Sequence, residues 1–239
     1  MSKALLYALF AAAGNVLGAL AVTRRAAREL RLIELLVAFG AGFMLSVAIV
    51  ELLPAALSRS GSLAPALVLV GYLAVHFTQH TITPHFHFGE ETHPVSAVAG
   101  TSALVGLLLH TFFDGVAIAS AFLVRADLGI MVFIAIFLHK LPEGVTISSV
   151  MVAAGRSQRR AVGAAALLGI ATLIGVVVTD QLGFLVQHGL ALSAGVTIYV
   201  AASNLVPEFQ GKKGWTLPAA FFAGAAVFYF TKMLLDGVS

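Results

Sequence analysis

Apolar runs long enough to cross a lipid bilayer follow one another along this chain, separated only by short charged or proline-containing breaks. They cover approximately residues 3–23, 33–57, 62–82, 96–124, 128–154, 160–181, 189–209 and 215–236. A span needs roughly 20 apolar residues. A backbone in lipid must satisfy its own hydrogen bonds, which leaves the helix as the form for such runs. The expectation is an all-α, polytopic membrane helix bundle of about eight transmembrane helices. It forms a single transmembrane domain over residues 1–239. Composition agrees: 59% of residues are hydrophobic and 10% charged, against roughly 25% charged in a soluble domain. The first run is followed by Arg24, Arg25, Arg28 and Arg31. It therefore reads as a retained span rather than a cleaved signal peptide.

The breaks carry the basic residues. Loops after odd-numbered spans hold Arg24, Arg25, Arg28, Arg31, Arg156, Arg159, Arg160, Lys212 and Lys213, while the other side holds Lys3, Arg59, Arg125 and Lys232. An excess of Lys and Arg marks the cytoplasmic side, so both termini are expected outside. A bacterial or archaeal plasma membrane is the expected location. The net charge of +3 is accounted for by these loops and gives no reason to expect a nucleic-acid partner. There are no cysteines, so any metal must be held by nitrogen and oxygen ligands.

Two internal matches point to inverted repeats arranged 3+2+3. Residues 41–54 read AGFMLSVAIVELLP and residues 194–207 read AGVTIYVAASNLVP, which aligns Glu51 with Asn204. In spans 4 and 5, His110-Thr-Phe-Phe-Asp114-Gly115 matches His139-Lys-Leu-Pro-Glu143-Gly144. Each pair of spans is an odd number apart, so the partners cross the membrane in opposite directions. Inverted repeats of this kind place a transport site between them, near the bilayer midplane.

The second match also carries chemistry. His110 and Asp114 are four residues apart, as are His139 and Glu143, so each pair shares a helix face. Two imidazoles and two carboxylates converging from facing helices suit zinc or another first-row divalent ion. The alternative is interhelical hydrogen bonds and salt links without a metal. Duplication of the motif at mid-span favours the metal, because ionisable groups in lipid are costly and mark pathways. Gly115 and Gly144 let the backbones approach. Pro142 frees the carbonyl of Leu138, which either opens the ion path or makes an ordinary kink.

These two motifs resemble the paired motifs in the fourth and fifth spans of the ZIP (zinc- and iron-regulated transporter-like) family. The eight spans, external termini and inverted repeats are similar to that family as well. The resemblance implies that His110, Asp114, His139 and Glu143 line a transport site. Its cargo would be Zn2+, or Fe2+, Mn2+ or Cd2+, carried as substrate, with no prosthetic group. The family often has Asn after the first His, Pro-Glu in the fourth span, and Asn or Asp after the second His. Here Thr111, Phe113-Asp114 and Lys140 stand at those places. Thr172 is the nearest position to an acid found in the sixth span of some members. These departures put a second metal position in question. Lys140, mid-span beside the acids, reads as a built-in cation that replaces a second ion.

Other polar residues are candidates for the route. Glu51, Asn204 and Glu208 lie in spans 2 and 7, where they either line a path or hold kinks at Pro54 and Pro207. Asp180, near a span end, is an entry ligand or merely faces water. His76, His80, His85, His87 and His93 cluster at the end of span 3 and in the loop at 83–95, a compositional metal signal. The resemblance suggests that this cytoplasmic loop catches or senses the ion. His188 is isolated and reads as structural. The expected partners are divalent metal ions and the lipid bilayer, with a homodimer as a further possibility. The leading function is metal uptake. The alternatives are an intramembrane metal-dependent hydrolase and a proton-coupled carrier of another solute.

Overall fold

The computed structural model describes residues 3–24, 30–79 and 97–236. Their regular structure is helical throughout, as α1 (Lys3–Arg24), α2 (Leu30–Val47), α3 (Leu53–Ser60), α4 (Ala64–Phe77), α5 (Ala97–Val124), α6 (Ala126–Ala153), α7 (Gln158–Gln181), α8 (Gly183–Tyr199), α9 (Pro207–Gln210) and α10 (Thr216–Asp236). Seven segments are long and apolar enough to span a membrane, and one of them, Glu34–Phe77, has 44 residues. At 1.5 Å per residue that segment is about 66 Å long, roughly twice a hydrocarbon core. It is broken at Gly61, whose φ of 56° leads into a 3-10 turn at Gly61–Leu63. Counted as two passes, it gives the eight spans expected. The protein is a multi-pass membrane helix bundle.

One span boundary differs from the expected one. The break expected before residue 189 is a single extended residue, Leu182, and α8 begins at Gly183. Gln187 and His188 lie within its first turns, and His188 Nδ1 meets Ser60 Oγ at 3.0 Å. At the start of α6 the cap position is Arg125, in extended conformation, and Asp127 accepts a hydrogen bond from Arg125 Nε at 2.7 Å. Pro142 lies inside α6, which stays helical on both sides of it.

The prolines that do alter the backbone are Pro54 and Pro207. Each follows a π-helical turn, Ala48–Leu52 and Val200–Leu205 respectively. The N–H of Leu53 donates to Ala48 O, and that of Val206 to Ala201 O at 3.1 Å, so both bonds reach back five residues. Widening the turn accommodates a proline that cannot donate and whose ring would strike the carbonyl four residues back. Glu51 and Asn204, aligned by sequence, sit in these matching turns.

Packing follows the same symmetry. In one group, α1 packs along α6, α5 along α7, and α1 along α7; in the other, α2 packs along α10 and α4 along α8. Lipid gives no hydrophobic drive between helices, so close packing of small residues holds such groups together. A Cβ on Gly144 would strike Asn15 O, and one on Gly115 would strike Thr172 O. Likewise Gly18 meets Leu141 O as Gly175 meets Phe112 O. In the second group, Gly42 meets Phe221 O as Gly195 meets Val68 O, and Gly224 meets Phe39 O as Gly71 meets Leu192 O. Span 1 therefore corresponds to span 6, 2 to 7, 3 to 8, and 4 to 5.

Candidate metal site

The site lies where α5 and α6 face each other within the first helix group. Among the described residues, His110, Asp114, His139 and Glu143 each offer a ligand atom, and these atoms lie within 4.8 Å of one another. All four are buried. A tetrahedral ion with bonds near 2.0–2.2 Å holds its ligands about 3.3–3.6 Å apart, so modest side-chain rotation closes the set. His139 Nδ1 lies 3.1 Å from Ala135 O. If Nδ1 carries the proton for that bond, Nε2 is left with a lone pair facing Asp114 Oδ2 at 3.4 Å. Metal-binding imidazoles are usually oriented in this way. Neither nitrogen of His110 has a hydrogen-bond partner, although Nε2 is 3.3 Å from Asp114 Oδ2. Buried polar atoms are normally paired, and an unpaired imidazole beside two carboxylates suits a cation.

Lys140 is fully buried and its ammonium lies between the two acids, 2.7 Å from Asp114 Oδ2 and 2.7 Å from Glu143 Oε2. It does not snorkel. Thr111 Oγ1 lies 3.0 Å from Glu143 Oε1 and also meets Leu107 O, so its single proton serves one of them at a time. Thr172 is buried on α7 and donates to Leu168 O at 3.4 Å, within its own helix.

Glu51 is not near this cluster's ligand atoms. Its carboxylate is buried and paired with Arg125 Nη2 at 2.7 Å and with Lys232 Nζ. Arg125 joins α5 to α6, so this ion pair ties the two helix groups together at that end of the bundle. Asn204 is half-buried in the matching turn, beside a contact of 3.1 Å between Tyr72 Oη and Ser203 Oγ. Asp180 is exposed at the end of α7. Glu208 lies in α9, but its side chain is outside the described part. The exposed His76 packs its ring against Tyr199, with centroids 5.8 Å apart. His80, His85, His87, His93 and the loop at 83–95 lie outside the described residues.

Sequence reasoning passed over Asn15. It is fully buried on α1, and its side-chain amide faces two acceptors, Lys140 O at 2.6 Å and Glu143 Oε2 at 3.3 Å. The amide nitrogen must therefore point there. The available signal was Asn15-x-x-Gly18 matching Thr172-x-x-Gly175, a polar residue beside a small one in corresponding spans.

A polytopic bundle with inverted repeats and a buried His and carboxylate cluster at their junction defines a membrane transporter class. Residues 89–232 match the family described as ZIP Zinc transporter. The chain belongs to that family, which is one of transporters rather than enzymes. It is 33% identical over 119 residues to zinc transporter foi of Drosophila melanogaster, covering 48% of this chain and 17% of that protein. It is 30% identical over 134 residues to human zinc transporter ZIP6, covering 52% and 18%. Similarity to zinc transporter ZIP9-B of Xenopus laevis is 29% over 159 residues, covering 60% and 52%. The chain thus spans about half or less of the length of these relatives.

Proposed function

We propose that the protein carries divalent transition metal ions, zinc above all, across a bacterial or archaeal plasma membrane into the cytoplasm. The observation that carries this reading is the buried set His110, Asp114, His139 and Glu143, with an imidazole whose nitrogens have no other partner. An ion arriving from outside exchanges water for these ligands and leaves to the other side as the two helix groups move. Lys140 supplies the positive charge that a second ion would otherwise bring. Glu51, Asn204, Glu208 and Asp180 belong to the approaches, and the loop histidines tune capture. The homodimer is part of the same proposal. The test is flux of zinc, iron(II), manganese and cadmium into proteoliposomes, with and without a pH gradient. Zinc-dependent uptake above that of protein-free liposomes is the expected result. Absence of flux for all four metals in folded protein would refute the proposal.

Orientation is testable separately. A cysteine at Ser157, in the turn between α6 and α7, is expected to resist an impermeant thiol reagent in intact cells, whereas one at Ser239 is expected to react. The chain has no native cysteine to obscure the result. The reverse pattern would invert the topology drawn from the basic loops.

A further inference from the structure

The two carboxylates of the site are held differently, and the difference follows the repeat. Asp114 Oδ2 is ringed by His110, His139 and Lys140. Glu143 has Thr111 on Oε1, and on Oε2 it has Lys140 and the Asn15 amide at 3.3 Å. Asn15 reaches the site because Gly144 allows the α1 backbone to lie directly against α6. The same crossing exists on the other side, where Gly115 lies against Thr172. Thr172 is the counterpart of Asn15, yet its hydroxyl turns back to Leu168 O in its own helix. Only the first-span member of the pair extends a donor to an acid of the site.

We infer that Asn15 is a positioning residue for Glu143, an inference that rests on the transport-site reading above. One amide nitrogen bridges the backbone of Lys140 and the carboxylate of Glu143, which fixes the side chain to the helix turn that carries it. Without that donor, Glu143 Oε2 is left to the Lys140 ammonium alone, already in contact at 2.7 Å, and no competing donor weakens that pair. The ion then has to break a tighter pair before it can bind. Outer partners that orient a ligand typically account for 10–100-fold in metal affinity.

The test is zinc titration of the purified full-length protein in nanodiscs, followed by calorimetry. Asn15→Thr installs the residue that the matching crossing already tolerates at Thr172. Its hydroxyl is expected to turn to its own helix, as that of Thr172 does. Zinc binding is expected to weaken at least about tenfold, with thermal melting showing an intact fold. Asn15→Ser is measured beside it and, should the threonine variant fail to fold, replaces it. The deciding measurement is the double-mutant cycle with Glu143→Gln. In that background Asn15→Thr should change zinc affinity less than about twofold, because the carboxylate it orients is gone. An equal loss in both backgrounds would mean a merely structural role and overturn the inference. Unchanged affinity in the single variant would do the same. If Glu143→Gln itself leaves zinc binding intact, the transport-site reading fails, and the inference fails with it.

Discussion

Asp114→Ala and Glu143→Ala are each expected to reduce zinc flux in proteoliposomes to the background of protein-free liposomes, while expression stays near that of the unaltered protein. The flux expectation follows from charge. With neutral imidazoles, the buried cluster holds two carboxylates and one ammonium, a formal charge of −1. Removing either acid brings the cluster to zero, and a divalent ion would then enter a dry site with no net attraction. Unit charges 4 Å apart interact by about 4 kcal/mol at an effective dielectric near 20, ample to abolish binding. The expectation for the fold has a different basis. Lys140 is 2.7 Å from both acids, so either variant leaves its ammonium one partner. A buried charge stripped of all partners typically costs several kcal/mol, and neither variant creates one. Flux at the level of the unaltered protein in either variant would remove the proposed site.

Lys140→Asp is expected to raise the central occupancy from one metal ion to two. In the unaltered site, one divalent ion takes the formal charge from −1 to +1, and a second would bring +3 into a medium that screens poorly. With aspartate at 140 the three carboxylates sum to −3, and two divalent ions give +1 again. The loaded charge is then the same as in the parent with one ion. Position 140 faces the cluster, since the Lys140 side chain extends from it to both carboxylates. Metal content of the purified protein, with anomalous scattering to locate the ions, decides the question. Two central ions in the unaltered protein, or one in a folded Lys140→Asp variant, would show that Lys140 does not stand in for an ion.

Much of this was legible in the sequence because it is written in residue types. The spans are apolar runs. The pairing of spans 2 with 7 and 4 with 5 shows as matching letters, and the three-residue spacing of Lys140 and Glu143 predicts their meeting on one helix face. The pairing of 1 with 6 and 3 with 8 followed only from the 3+2+3 arrangement, with no run of matching letters of its own. It is carried by glycines lying against backbone carbonyls, such as Gly18 on Leu141 and Gly175 on Phe112, and a carbonyl leaves no mark in the sequence. Asn15 escaped for the same reason, since its match is a threonine and its partners lie on another helix. The π turns were hidden too. Pro54 and Pro207 signal a disturbance, as does Pro142, yet α6 absorbs its proline without a wider turn. The start of α8 lies ahead of the expected bound because Gln187 and His188 interrupt the apolar run by which a span is recognised.

In the proposed carrier, the mirrored glycine crossings bear on how the resting balance is set. When two halves make the same contacts, exchanging their roles yields a second arrangement of nearly the same energy. Whatever the halves share cancels, and preference for one arrangement comes from the residues that break the match. One such difference is at the π turns. Glu51 is joined to Arg125 and Lys232 across the end of the bundle, whereas its counterpart Asn204 bears no charge. One arrangement is therefore weighted by a charged fastening confined to a single membrane face. Arg125 is half-exposed there, which subjects its part of the fastening to screening by salt. The ionic strength of one compartment, and not of the other, then enters the thermodynamics of turnover.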